Sequence, residues 1–172
     1  SEVYFFGAVG QDKVGNMLLE NFQAYGIDIN GVNVTNSNLS GIAYITIDSK
    51  GDNTILYVPG ANLNAKASQI PDYFFNENTV FLIQMEINPA ENWKLVHKAK
   101  ERGARVILNL APMKHIPVEI IHSIDVLIMN ETEALMLAKT IGIETNDFDK
   151  IAEYVSTSFK NTCIITLGQN GV

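Results

Sequence analysis

The stretch that decides the fold runs from Thr79 to Leu108, TVFLIQMEINPAENWKLVHKAKERGARVIL. It opens on Thr79–Met85, an apolar run of strand length that stops before Asn88 and Pro89. A short apolar run bounded by turn residues reads as a buried strand. Pro89 then falls in the first turn of a helical segment, Pro89–Arg102, where a missing backbone N–H costs little. Gly103 ends that helix, and Ala104–Leu108 is apolar again. Strand, helix and strand in succession make a βαβ unit, whose strands run parallel.

Working outward, the same alternation continues on both sides. Pro117–His122 reads as a short helix, Asp125–Met129 as a strand, Glu131–Lys139 and Phe148–Phe159 as helices, and Thr162–Leu167 as the last strand. Towards the amino end, Val3–Phe6 reads as a strand. From Asp12 to about Tyr25, Val14, Met17, Leu18 and Phe22 recur at helical spacing, with Gly26 as the cap. Such alternation implies an α/β fold of Rossmann type: three layers, a largely parallel sheet with helices on both faces and right-handed crossovers. One segment breaks the pattern. Val32 and Val34 alternate with polar residues, and Ile42–Ile47 is β-branched and aromatic. The cluster at 48–53 is a turn, and Thr54–Val58 is a second strand. This is a hairpin signature. Residues 31–58 therefore read as a small projecting sheet, and 1–30 with 59–172 as the α/β core, incomplete at both ends.

Composition narrows the function. The 172 residues suit one domain and can bury a sizeable core. Twelve Lys and Arg against nineteen Asp and Glu give a net charge of −7, with no basic stripe. Nucleic acid and anionic membranes are unsuitable partners for such a surface. No apolar run is long enough for a transmembrane helix, and Ser1–Tyr4 has no signal-peptide character. A cytoplasmic location is expected. Cys163 is the one cysteine, so no internal disulfide or cysteine-based zinc site is expected, and its apolar strand suits a buried thiol. His97, His115 and His122 lack metal-ligand spacing. Neither end of the chain looks like a natural domain boundary, and both are read as cuts.

Ligands of open parallel sheets gather beyond the carboxyl ends of the strands. There Glu86 follows one strand, either as a solvated strand end or as a ligand-binding carboxylate. Asn109-Leu110-Ala111-Pro112 follows the next, as a turn or a crevice lining. Asn130-Glu131-Thr132-Glu133 follows the third. Asn and Glu at this spacing form a capping box, yet a helix N-terminus after a parallel strand also suits phosphate. Both readings can hold together. Gly168-Gln169-Asn170-Gly171 follows Thr166, as a turn or as a close backbone approach to a nucleotide. Gly7–Gly15 contains three glycines after a strand, but not at dinucleotide-loop spacing, and no P-loop is present.

In order along the chain, these pieces resemble the ribokinase-like (PfkB) family of carbohydrate kinases. The carriers are Gly7–Gly15, Ser40-Gly41-Ile42-Ala43-Tyr44-Ile45, Pro59-Gly60-Ala61-Asn62, Gln84-Met85-Glu86, Asn109–Pro112, Asn130–Ala134 and Thr166-Leu167-Gly168. The resemblance implies a three-layer α/β domain with a β-sheet lid over the sugar. It implies ATP-dependent phosphorylation of a sugar hydroxyl, with ribose going to ribose 5-phosphate as the first candidate and fructokinase or another sugar kinase as the runner-up. Glu86 matches the carboxylate that binds sugar hydroxyls. Ala43, Ile45 and Tyr57 match lid positions on the sugar, although Tyr57 stands where the family usually has an aliphatic residue. Asn130 and Glu133 match the motif that organises Mg²⁺ and the ATP phosphates, Glu133 acting on the metal through water. Thr166 and Gly168 match residues lining ATP.

Two family signatures are absent: the amino-terminal Gly-Gly-Lys-Gly-Ala-Asn-like segment and the Gly-Ala-Gly-Asp motif. The implied catalytic Asp would lie beyond Val172, leaving no catalytic residue in this chain. A monovalent cation would be bound beyond Val172 too. The implied partners are a small sugar and ATP, with a homodimer through the lid as the candidate assembly. A non-catalytic sugar- or nucleotide-binding module is the alternative from another class.

Overall fold

The computed structural model describes residues 2–49, 51 and 53–172, Asn53 by its backbone alone. Lys50 and Asp52 of the expected turn cluster lie outside the described residues. The chain divides into two units, Ser1–Ile70 and Pro71–Val172.

The first unit begins with β1 (Tyr4–Gly10), α1 (Lys13–Ala24) and β2 (Asp28–Thr35). β1 and β2 pair in parallel, Tyr4 opposite Asp28 and Gly10 opposite Thr35. The Asp12 carboxylate caps α1 by accepting the Gly15 N–H at 2.7 Å. Gly26, at φ +72°, takes the left-handed turn after the helix that a side chain would disfavour. The Phe5 and Phe22 rings stack 4.5 Å apart and hold α1 on its strand.

β3 (Ile42–Ile47) and β4 (Asn53–Val58) form an antiparallel hairpin, Ile42 opposite Val58 and Ile47 opposite Asn53. Val32 and Val34 behave differently from expectation. They lie in β2 against β1, so residues 31–35 do not join the hairpin's sheet. Alternation identifies a strand, but its partner is fixed by the helix that returns it in parallel. Two 3₁₀ turns, Gly60–Asn64 and Ala67–Gln69, follow the hairpin. The Gln69 amide donates to the carbonyls of Gly7 and Gly31, pinning this segment across β1 and β2.

The second unit contains β5 (Val80–Gln84), α2 (Pro89–Glu101), β6 (Arg105–Asn109), α3 (Val118–Ile121), β7 (Val126–Asn130), α4 (Glu131–Thr140), α5 (Phe148–Phe159) and β8 (Thr162–Thr166). The four strands make one parallel sheet in the order β5-β6-β7-β8. This is the α/β architecture that the alternation predicts, and the small antiparallel sheet belongs to the first unit. Val106, Leu108, Leu127 and Met129 line the buried sheet face, and Val96, Leu137, Ile151 and Val155 are buried helix residues. α2 starts where Asn88 accepts the Ala90 N–H with Pro89 in its first turn, and Gly103 follows its end at φ +76°. Among the described residues, no helix is long and apolar enough to cross a membrane.

Cys163 is half-buried in β8, where a buried thiol was expected. Among the described residues β8 pairs with a neighbouring strand on one side only, which leaves its residues less covered. Burial still pushes the thiol from its ordinary 9.0 up to about 11. The neutral form is favoured in the folded state, so this group's contribution to stability is complete below the ordinary value and is lost as pH rises towards the raised one. Alkylation of native Cys163 by iodoacetamide should be slow at about pH 8 and should still be accelerating at about pH 10, because the thiolate is the nucleophile. A rate plateau near the ordinary thiol value would contradict this.

Candidate functional site

The parallel order of β5–β8 brings four strand ends to one edge, and each ends on a polar residue: Gln84, Asn109, Asn130 and Thr166. All four are exposed. In the ladder, Gln84 lies opposite Asn109 and Asn130 opposite Thr166. Apolar residues fill the strands up to this edge, so the polar ends mark where the sheet meets solvent.

Glu86 stands just past β5 and is half-buried. Its N–H donates to Gln84 Oε1. Met85, fully buried, donates its N–H to Ala111 O at 3.0 Å, which ties the Glu86 segment to the loop after β6. From α2, the buried Asn92 amide donates to Gln84 O at 2.7 Å, and Lys114 donates to Ile87 O at 3.2 Å. Glu86 thus sits on a segment fixed from three sides, tied to the loop after β6. The role of Asn92 was not read from the sequence.

At β7, the capping box forms in full. Glu133 N–H donates to Asn130 Oδ1 at 2.9 Å, and Asn130 N–H donates to Glu133 Oε2 at 2.9 Å. Glu133 is 6% exposed, so its carboxylate is largely withdrawn into the cap. Thr166 Oγ1 donates to Met129 O at 3.5 Å, and Gly168 at φ +57° begins the turn Gly168–Asn170. Asn130, Glu133, Thr166 and Gly168 therefore gather at the ends of β7 and β8, around the N-terminus of α4. Among the described residues, no group of three or more His, Cys, Asp or Glu could hold a metal ion. A single carboxylate at a helix N-terminus nevertheless fits Mg²⁺, an ion that is commonly held by one or two carboxylates together with phosphates and water.

In the first unit, Ala43 pairs opposite Tyr57 and Ile45 opposite Ile55, so Ala43, Ile45 and Tyr57 share one face of the hairpin. The Tyr57 hydroxyl accepts from the Asn62 amide at 2.9 Å. Ile42, Tyr44, Leu56 and Val58 occupy the opposite face. The glycine-rich loop does not form an open phosphate cradle. The Gly10 N–H goes to Ser40 Oγ, the Gln11 N–H to Thr35 O, and the Gly15 N–H to Asp12 Oδ1. The Asp12–Ser40 pairing was not anticipated. The N–H of Ser40 foremost, and then that of Gly15, hold the Asp12 carboxyl below the usual carboxylate range.

Comparison with known proteins supports the fold. Ribokinase from Staphylococcus aureus is 30% identical over 99% of this chain and 57% of its own length. The crystal structure of ribokinase from Thermotoga maritima superposes with a TM-score of 0.81 at 30% identity, covering 96% of this chain and 54% of that one. The structure of Arabidopsis thaliana ribokinase complexed with ribose and ATP gives a TM-score of 0.77 at 28% identity, over 97% of this chain and 55% of that one. The chain spans about half the length of these relatives. The profile of the pfkB family carbohydrate kinases matches residues 1–172, and the chain belongs to that family.

Proposed function

We propose that the protein containing this chain transfers the γ-phosphoryl group of MgATP to a primary hydroxyl of a pentose, ribose foremost. The observation that carries this reading is the sorting of groups along one sheet edge. A carboxylate follows β5, while a capped helix N-terminus and a glycine turn follow β7 and β8.

The chemistry follows from that sorting. The Glu86 carboxylate can accept hydrogen bonds from neighbouring sugar hydroxyls, and charged acceptors bind such donors strongly. Asn130 secures the start of α4, whose exposed N–H groups and dipole favour phosphate. Glu133 would hold Mg²⁺ through a water, and Thr166 and Gly168 would line the nucleotide. Bound Mg²⁺ would supply neutralisation of charge on the transferring phosphoryl group. The hairpin face carrying Ala43, Ile45 and Tyr57 would cover the sugar as a lid. The opposite apolar face, with Tyr44 and Leu56 both more than half exposed, suits a second copy, and sedimentation of the full-length protein tests for that dimer. Family resemblance assigns the base for the attacking hydroxyl to an Asp outside this chain.

Ribose is favoured because the relatives near 30% identity are ribokinases. The fructokinase structure from Xylella fastidiosa is 18% identical and supports the fold alone. The test is an assay of the full-length protein with MgATP and a panel of sugars. The highest kcat/KM is expected with ribose, and fructose as the better substrate would move the assignment. Binding of sugar and nucleotide without turnover would leave the non-catalytic module standing. The 172-residue chain by itself is expected to show no ribose phosphorylation. Turnover at the rate of the full-length protein would show that the base lies within it.

A further inference from the structure

The stretch Gly7–Gly15 takes no part in the function above, yet its hydrogen bonds converge on the base of the hairpin. Ser40, two residues before β3, is 3% exposed and gives both of its donors to one carboxylate. Its N–H goes to Asp12 Oδ2 at 2.7 Å and its hydroxyl to Asp12 Oδ1 at 2.8 Å, while Ser40 Oγ accepts the Gly10 N–H at 2.9 Å. No side chain could replace the glycines that surround this contact without displacing it. A Cβ on Gly10 would come within 2.5 Å of Ser40 N and 2.6 Å of Asp12 Oδ2, and one on Gly15 would fall on Gly10 O.

The other foot of the hairpin is built differently. Gly60 turns at φ +48°, a Cβ there would strike Leu39 O, and the fully buried Ala61 donates its N–H to that same carbonyl at 2.7 Å. Between the feet, β3 and β4 pair only with each other among the described residues. The direction of the hairpin is therefore set where it joins the unit.

We propose that Asp12 is a positioning residue for the hairpin, its carboxylate clamping Ser40 so that β3 and β4 project from one fixed foot and one glycine foot. Capping alone does not require this arrangement. Asp147 caps α5 through the Lys150 N–H with no such second duty. Asn caps a helix as well as Asp, so Asp12→Asn keeps the cap, whose Oδ1 also takes the Ser40 hydroxyl, but sets an amide N–H₂ against the Ser40 N–H. The consequence for sugar binding rests on the function proposed above; the clamp itself does not.

The test places spin labels at Ser49→Cys and Glu20→Cys in a Cys163→Ser background and measures the distance distribution between them. Asp12→Asn and Ser40→Ala should each broaden it, the double variant should broaden it no further, and Asp147→Asn should leave it unchanged. In the full-length protein, Asp12→Asn should raise the sugar KM about tenfold, the scale of one lost charge-assisted hydrogen bond, with the ATP KM and kcat nearly constant. If Asp12→Asn fails to fold, Ser40→Ala carries the test. An unchanged distribution in both single variants, or equal effects of Asp12→Asn and Asp147→Asn, overturns the proposal. Broadening in a protein that phosphorylates no sugar would remove the kinase reading and leave the clamp standing.

Discussion

Replacing Glu86 with alanine in the full-length protein is expected to raise the KM for ribose by about 10- to 100-fold, while the ATP KM stays close to that of the wild type. The size follows from the loss of a charged hydrogen bond, about 1.5–3 kcal/mol, which is that range of binding constants. The selectivity follows from position. Glu86 lies past β5, whereas Asn130, Thr166 and Gly168 lie past β7 and β8, with β6 between them in the sheet. The melting temperature of the variant checks that the fold is kept. Glu86 is half-buried, and its segment is held by the Met85 N–H to Ala111, by Asn92 on Gln84 and by Lys114 on Ile87, none of which uses the Glu86 carboxylate. Glu86→Gln should recover part of the affinity, since an amide oxygen still accepts hydrogen bonds but without charge. Normal ribose KM in Glu86→Ala, or an equal rise for ATP, would return Glu86 to a solvated strand end.

The elements legible in the sequence are those whose signals are local. Phe148–Phe159 forms the helix its spacing predicts, and Asn130 and Glu133 form the capping box over the expected residues. Proline at the start and glycine beyond the end bound α2 as the punctuation implies. The hairpin also pairs as read. What escaped the reading depends on contacts far apart in the chain. Val32 and Val34 announce a strand but not that β1 is its partner. Asp12 and Ser40 are separated by 28 positions, and no periodicity links a carboxylate to a serine at that distance. Asn92 was not singled out in the sequence, because its amide reaches the end of β5 only when α2 packs. The apolar runs also overstate coverage. Thr79–Met85 reads as a buried strand of a sheet covered on both faces, yet Phe81 is 8% exposed and Leu82 is 71% exposed. Periodicity reports what a strand can bury and leaves open what lies against it. For the site, the sequence placed Glu86, Asn130, Glu133, Thr166 and Gly168 at the ends of strands, and register explains why they share an edge. The spacing announced the capping box, but not that Glu133 would be committed to it at only 6% exposure.

That commitment makes Glu133 the sharper test of the nucleotide side. A carboxylate can serve the cap with one oxygen, here Oε2 to the Asn130 N–H, and still set a strong negative field at the start of α4. Glutamine retains an oxygen that accepts the same bond, so Glu133→Gln should melt close to the wild type. Alanine removes that acceptor, and Glu133→Ala should lose about 0.5–1.5 kcal/mol, the net worth of a typical hydrogen bond. Catalysis should not follow stability. If Glu133 orients Mg²⁺ through water, both variants lose an outer-sphere partner of the metal, and each should fall about 10- to 100-fold in activity. The Mg²⁺ concentration needed for half-maximal rate should rise in both, with the ribose KM little changed. The decisive comparison is Glu133→Gln, which separates charge from capping at a position that is 6% exposed. Wild-type kinetics in that variant, with a lower melting temperature only in Glu133→Ala, would assign Glu133 to the helix alone. A loss of Mg²⁺-dependent turnover at unchanged melting temperature would assign the carboxylate to the metal, because the cap survives the substitution and the charge does not.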